Sequence, residues 1–575
     1  MSRHESRRGM ALLIVVVLTM LIALAAYRFS FYMESQYRLT RLHEEQIQAE
    51  LAALSGIELA AAIAELPMNE RESMGGLIDN PVMLRDVVID VPTELASKSE
   101  SVVANWRCCL ISAGAVGSGA SADASGSLST IRFGFENESA KLNLQSLLEW
   151  DRRTPGHARA TLLGLPGATE PLVDAWLQGL GLRSPKGGPV SSGGSSLFDR
   201  LEARSSSSSL ESQTDQLKLL WFGGDLNQNY RLDPLEMRLA EQLTEATRGS
   251  TSSTSTGMSQ TMDSRDGTGS LDASPAWQRY VTWNSGQRNE TMSGSPRIYL
   301  NESNLQTLHQ QLSATWPSDW ANFVIAMRQY GPSSSSNPNN SSSQSGAGTS
   351  ASADAASLAI ESGPPDFSKP PTYMFKSVLD LVGATVQVSV PSSPATSESK
   401  TSGDGRTGNS TTKQTLRNPF SGDLMEARNY LGRLFDEATV EPAAYTSGRI
   451  DVLAAPAEVL AGVPGIDTAL AQRIVQQRQT GSGEIATSAA QNSIAWLLDG
   501  GTVDLVKLKE IEPYLTIRND VYSLQSVGYR DSISPVYRCT VTIDARQIPA
   551  RILHHQNWHP WDRGFTMEQL STPGP

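Results

Sequence analysis

From Met10 to Tyr27 the chain reads MALLIVVVLTMLIALAAY, uncharged and with Thr19 as its one ordinary polar side chain. A helix over this run is about 27 Å long, close to the hydrocarbon thickness of a bilayer. Beyond it, Ile47, Leu51, Leu54, Ile57 and Ala61 keep helical spacing, and residues 28–66 contain no Pro and only Gly56. Pro67 then stops the pattern. The spacing predicts one helix from Met10 to Leu66, about 85 Å long, with its first third in lipid and an amphipathic remainder. After Pro67 the period changes to two. DVVIDV, SVVANWRCCLIS and TIRFGFENE read as strands, with Ile131, Phe133 and Phe135 alternating in the last. In the second, Val102, Ala104, Trp106 and Cys108 fall on one face and Cys109 on the other.

From Leu142 to about Arg328 the pattern turns helical, interrupted by Ser/Thr/Gly-rich stretches such as 205–209 and 249–269, which cannot bury apolar surface. Strand-like alternation returns over 510–564. Tyr537, Cys539, Val541 and Ile543 face one way, and Arg538, Thr540, Thr542 and Asp544 the other. The expected fold class is α+β: a long N-terminal transmembrane helix and an antiparallel sheet split by a large inserted α-helical domain. The expected boundaries are a leader over 1–9, the helix over 10–66, a β part over 67–147 and a first helical part over 148–330. A low-complexity linker over 331–362, a connection over 363–390 and a second linker over 391–413 follow. A second helical part over 414–509 and terminal strands over 510–575 complete the chain.

At 575 residues the chain is too long for one core. Its 47 Lys plus Arg against 60 Asp plus Glu give a net charge of −13, which argues against nucleic acid as the main partner. Cys108, Cys109 and Cys539 make neither a disulfide framework nor a CxxC zinc site. A bond between Cys108 and Cys109 is disfavoured by their opposite faces, and packing is the better reading. No Walker loop, GxSxG, HExxH or dinucleotide fingerprint occurs, so no enzymatic activity is expected. His554, His555 and His559 are the one histidine cluster. With few acids nearby, packing beside Trp558 and Trp561 is preferred over a metal.

Two segments carry finer signals. LLGLPGATEPLVDAWL (162–177) and LAGVPGIDTALAQRIV (460–475) align at constant offset, matching Gly164 with Gly462 and Gly167 with Gly465. Each reads as a helix-hairpin-helix, with Thr169 or Asp467 as N-cap. Such turns meet phosphates in DNA-binding proteins, but the surrounding charge is mixed: Arg473 and Arg478 against Glu458 and Asp467, Arg159 against Glu170 and Asp174. A structural or protein-binding role is therefore favoured, with membrane-anchored DNA binding or uptake as the alternative. The other segment is LLWFGGDLNQNYRLDPLEMRL, in which Asp225, Asn227, Asn229, Arg231, Asp233 and Glu236 take positions one, three, five, seven, nine and twelve of an EF-hand-like loop. Arg231 would offer its carbonyl and Glu236 a bidentate carboxylate. Tyr230 stands where Gly usually makes the turn, and two Asn replace acids, so weak calcium binding is expected. An Asx-rich turn capping the helix near Pro234 is the bland alternative.

The N-terminus ties these segments together. MSRHESRRG, with Arg3, Arg7 and Arg8 before the apolar run, predicts a cytoplasmic N-terminus. An uncleaved anchor competes, as does a signal peptide cut near Ala23-Leu24-Ala25, although the unbroken helix after the run speaks against the latter. A basic leader ending at Gly9, followed from Met10 by such a helix, resembles the type IV pilin and pseudopilin family. That resemblance implies cleavage after Gly9 by prepilin peptidase and methylation of Met10. Most members carry Glu at the fifth mature position, where this chain has Ile14. Lack of that Glu is known in the protein K family of type II secretion, which the hairpin segment and the terminal strands also resemble. Membership implies a minor pseudopilin at the tip of a short periplasmic pseudopilus. It would be anchored once in the inner membrane and help to start assembly. It would pack with other minor pseudopilins and the inner-membrane secretion platform, and its helical domain would carry calcium.

Overall fold

The computed structural model describes residues 5–89, 106–114, 131–179, 221–230, 235, 236, 238, 276–333, 366–391, 411–480, 493–558 and 564–571. Helix α1 spans Glu5–Glu65 without a break, and Pro67, extended at φ −58° and ψ 154°, ends it. From Leu12 its first half is exposed among the described residues. From Ala49 onward Ala49, Ala52, Ala53, Ile57, Ala60, Ile63 and Ala64 are buried, a stripe of small and apolar residues at steps of three and four.

That stripe lies on an antiparallel sheet drawn from both ends of the sequence. Its strands are β1 (Val87–Ile89), β2 (Trp106–Ala113), β3 (Ile131–Phe133), β4 (Glu136–Asn137), β5 (Val521–Tyr529), β6 (Tyr537–Asp544) and β7 (Arg551–Asn557). The order is β1-β2-β5-β6-β7, with β3 added to β2 and β4 to β5. The third expected strand is therefore two. Gly134 separates β3 from β4, because a side chain there would sit 2.3 Å from the Ile78 carbonyl oxygen, and the chain changes partner strand at that point.

The contact between helix and sheet is close because glycine sits on both surfaces. A Cβ on Gly528 of β5 would come within 2.0 Å of the Ala49 carbonyl oxygen, and one on Gly56 within 2.7 Å of Ser526 Oγ. That hydroxyl instead donates to the Ala53 carbonyl at 2.7 Å. Trp106, Leu110, Leu524, Tyr537, Cys539, Val541 and Ile543 fill this helix-facing layer. The alternation expected for β2 and β6 holds over their described residues. Cys109, Ile111, Val527 and Tyr529 face the other side, under Phe565 and Leu570.

Described residues between Leu142 and Ile517 build a second, mainly helical core. It includes helices Leu144–Arg153, His157–Leu163, Glu170–Gly179, Leu305–Thr315, Ser318–Tyr330, Leu424–Glu437 and Thr468–Thr480. Trp316, Trp320, Phe420 and Tyr430 stack inside it, with ring centroids 4.9–6.3 Å apart. The stretch expected as a linker over 391–413 begins and ends in structure, since Val386–Pro391 pairs antiparallel with Thr411–Leu416. β-branched Val and Thr give those ends strand character inside a Ser-rich composition. The first linker lies almost wholly outside the described residues.

Where α1, the sheet and the helical core meet, buried charges interlock. Arg71 pairs with Asp520 at 2.5 Å and donates to Tyr522 Oη at 2.6 Å. Arg288 lies 3.4 Å from the same carboxylate and donates to the Glu65 and Leu66 carbonyls at 3.0 and 2.9 Å. These guanidinia satisfy the carbonyls left open at the end of α1 and fix its exit against both cores.

Candidate functional sites: the bare helix, the 225–236 loop and the paired hairpins

The bare part of α1 is long and apolar enough to cross a membrane, with a mean hydropathy of 2.5 over its most apolar window and none of that window buried. Gly9 and Met10 lie in the first turns of this helix. Met10 and Ile14 are exposed, at 61% and 59%. Among the described residues nothing else covers this surface, so its apolar side chains need lipid or other helices around them.

The 225–236 loop is turned in on itself. Asp225 Oδ1 accepts from the Asn229 amide at 3.1 Å and Oδ2 from the Tyr230 amide at 2.8 Å. Asn227 Oδ1 also accepts from Asn229, at 3.0 Å. Glu236 Oε1 accepts from the Leu226 and Asn227 amides at 3.0 and 3.1 Å. The structure thus brings together Asp225, Asn227, Asn229 and Glu236, while Arg231 and Asp233 lie outside the described residues. Two acids that the sequence spaces eleven apart meet on one short loop, and both are buried. Burial, then the neighbouring Glu236 carboxylate, pushes the Asp225 carboxyl up to about 7 against the pull of its amide donors.

Tyr230 explains itself here. Its φ is +62°, the left-handed turn that Gly supplies in loops of this type. Holding a bulky residue there costs about 1–2 kcal/mol, and the offset is visible in its packing. The ring lies 6.4 Å from that of Phe565, against the Cys109 and Val527 layer. The turn is kept, and tertiary burial replaces glycine's freedom.

Three residues outside the expected ligand set hold this loop, two of them on the sheet. Arg538 of β6 donates to the Gln228 carbonyl at 2.9 Å and the Asn227 carbonyl at 2.5 Å. Gln525 of β5 donates to the Gln228 carbonyl at 2.7 Å. Gln278 donates to Gln228 Oε1 at 2.8 Å. Arg538 belongs to the polar row of β6, which was its only sequence signal, whereas Gln525 shares a face with Val521, Val527 and Tyr529 and gave none. Among the described residues no group of three His, Cys, Asp or Glu is placed to hold an ion. The described donors are two carboxylates and two side-chain amides, oxygen donors of the hard-cation type, so they fit calcium better than zinc or iron.

The two glycine hairpins form as expected: His157–Leu163 with Glu170–Gly179, and Ala457–Leu460 with Thr468–Thr480. Gly167 and Gly465 take φ +72° and +86°, and Asp467 caps by accepting from the Leu470 amide at 2.7 Å. The hairpins also hold each other. His157 Nε2 donates to the Gly462 carbonyl at 2.9 Å, and a Cβ on Gly462 would sit 2.4 Å from the Thr161 methyl. Several of their charges are engaged within the chain, although Arg473 is exposed. Arg159 meets Asp174 at 2.7 Å and Glu170 at 3.3 Å, Arg478 turns inward to the Ala455 carbonyl at 2.7 Å, and Trp277 Nε1 donates to the Pro166 carbonyl at 3.0 Å. Glu510 stands beside the second turn, 2.8 Å from where a Cβ on Gly465 would lie.

Cys108, Cys109 and Cys539 are buried free thiols. Burial pushes Cys108 and Cys539 up to about 12 and Cys109 to about 11, away from the reactive thiolate. His554 and His555 are exposed on edge strand β7, and His559 and Trp561 lie outside the described residues. Trp558 is buried and donates to Thr540 Oγ1 at 2.7 Å. No protein-family model, curated protein or solved structure matches this chain.

Proposed function

We propose that the chain is a minor pseudopilin resembling the protein K family of type II secretion, working at the tip of a periplasmic pseudopilus and not as an enzyme. One observation carries the reading: a single unbroken helix is bare and apolar in its first half and laid on an antiparallel sheet in its second. Such a helix serves two environments, lipid before assembly and neighbouring helices after it. The sheet's strands come from both ends of the sequence, with 142–517 between them, which supports a pilin-like scaffold with an inserted α domain. The bulk of that domain suits an end position, because a shaft subunit must leave room for copies above and below. Ile14 gives the N-terminal amine of a neighbour no carboxylate to pair with, which also suits a subunit at the end of the stack.

In this reading the positive leader stays in the cytoplasm, prepilin peptidase cuts between Gly9 and Met10, and the remainder is periplasmic. The partners are other minor pseudopilins and the inner-membrane secretion platform. The 225–236 loop would hold calcium through Asp225, Asn227, Asn229 and Glu236, with the Arg231 carbonyl and Asp233 as the remaining members of the spacing. The ion would supply positive charge between two buried carboxylates. This chain's own contribution is the docking through Arg538 and Gln525, which ties the loop to the terminal strands.

Co-expression with the other minor pseudopilins of a type II system tests the assignment. A detergent-stable complex that dissociates when the bare helix is replaced by poly-Leu of equal length is expected. A chain that purifies alone under all these conditions would remove the reading.

A further inference from the structure

The aromatic residues of α1 are confined to one short stretch. All five of its Phe and Tyr side chains fall between Tyr27 and Tyr37, where the apolar run from Met10 ends. Tyr27, Phe29, Phe31, Tyr32 and Tyr37, with Met33 among them, are 47–70% exposed. None of the three Tyr hydroxyls meets a partner among the described residues. Arg28, inside the same stretch, is equally alone. The next two cations are paired, Arg38 with Glu34 at 2.5 Å and Arg41 with Glu45 at 3.5 Å.

Their arrangement around the axis says what kind of surroundings they suit. At about 100° per residue, Tyr27, Phe31, Tyr32, Phe29, Met33 and Tyr37 follow one another around the helix with no gap wider than about 100°. Ile47, Leu51 and Leu54 are also exposed, but they lie within an arc of about 60° on the side away from the sheet. A one-sided stripe fits a partner helix, whereas a ring fits a medium that surrounds the helix. That medium must receive ring bodies on one side and hydroxyls and a guanidinium on the other, as the headgroup layer of a bilayer does. The lengths agree. Residues 10–27 cover about 27 Å, close to the ~30 Å of hydrocarbon, and 27–33 add about 9 Å, on the order of one headgroup layer.

We propose that Tyr27–Met33 is a lipid-binding collar, seated in the phospholipid headgroup layer on the side of the membrane that holds the soluble body, with Arg28 turned to the lipid phosphates. Tyr37, whose side chain tilts toward the N-terminus as in any helix, closes the ring from one turn beyond. After the collar, Glu34–Glu44 is a charged stalk about 16 Å long, exposed throughout. The soluble body first meets α1 at Glu45, which pairs with Arg530 after β5 at 3.3 Å. The collar thus fixes the height at which the sheet stands above the lipid. This inference rests on α1 spanning a membrane and is independent of the pseudopilin assignment.

The test uses the full chain in vesicles of phosphatidylethanolamine and phosphatidylglycerol, spin-labelled at one introduced cysteine at a time: Val16→Cys, Ser30→Cys, Ser35→Cys or Thr40→Cys. The chain without an introduced cysteine, whose three thiols are buried, gives the background. Collisions with oxygen, which concentrates in lipid, against those with a water-soluble nickel chelate read the depth. Oxygen should dominate at Val16 and the chelate at Thr40, with the balance reversing between Ser30 and Ser35. Replacing Phe29, Phe31 and Tyr32 together by Ser should move the reversal by at least one helical turn, about 5 Å. Because that variant could fail to insert, the profile with the collar intact is a second, separate reading. A reversal outside the interval from Ser30 to Ser35 would overturn the proposal, as would an inserted triple variant with an unmoved profile. Shielding of the Ser30 label from both reagents would overturn it too, since protein and not lipid would then cover the ring. A water-exposed label at Val16 would remove the membrane span itself, and the collar with it.

Discussion

If the 225–236 loop binds calcium as proposed, the calcium-free chain should show a pH-dependent stability that arises at Asp225. Asp225 is buried beside Glu236, and its pKa is raised from 3.8 to about 7. A difference of about three pH units, at about 1.4 kcal/mol each, is on the order of 4 kcal/mol. The sign follows from which state holds the proton more tightly. The folded pKa lies above the unfolded one, so Asp225 disfavours folding as pH rises from about 4 to about 7, and the loss is complete above that. Asp225→Asn keeps the shape and removes the charge. In EGTA at pH 8 this variant should therefore be more stable than the unsubstituted chain, by up to a few kcal/mol. With millimolar calcium the order should reverse, because only the unsubstituted chain gains from binding. Denaturant unfolding at pH 5 and pH 8, with EGTA or calcium, gives all the comparisons needed. If the unsubstituted chain is the more stable in EGTA at pH 8, or if calcium changes neither protein, the reasoning about this loop is wrong.

Gly528→Ala should separate α1 from the sheet, since its methyl would meet the Ala49 carbonyl at 2.0 Å and the Ala53 nitrogen at 2.7 Å. A loss of about 1–3 kcal/mol or more in denaturant unfolding is expected, against none for Gly432→Ala in the helix Leu424–Glu437, where space is open. Arg538→Met removes the donor to the Asn227 carbonyl and leaves the Gln228 carbonyl to Gln525 alone, which should cost about 1–3 kcal/mol and open the 225–236 loop to limited proteolysis. Asp520→Asn leaves Arg71 and Arg288 without their shared carboxylate, and a loss of about 3–5 kcal/mol is expected in the same measurement.

The residues most legible in the sequence were those whose environment is set by their own element. The run from Met10 to Tyr27 and the alternation from Tyr537 to Ile543 gave the long helix and the buried face of β6, because periodicity records which side an element hides. It does not record what covers the other side. Arg538 read as part of a polar face and is instead buried under a loop some three hundred residues earlier in the chain. Tyr230 read as evidence against a tight turn, yet the left-handed turn is present and is held by contacts with Phe565 and the outer sheet layer. The hairpin that closes 391–413 was hidden by composition, since Ser-rich sequence dominates the stretch its two strands enclose. Of the loop, Asp225, Asn227, Asn229 and Glu236 were found by spacing, whereas the docking set of Arg538, Gln525 and Gln278 required the tertiary fold.

The central claim concerns the first residue of the mature chain. Intact-mass and N-terminal peptide analysis of the protein, purified from the membranes of a host that carries prepilin peptidase, reads it directly. A chain beginning at N-methylated Met10 is expected. A chain that keeps Met1, or one that begins near Ala26, would contradict the account.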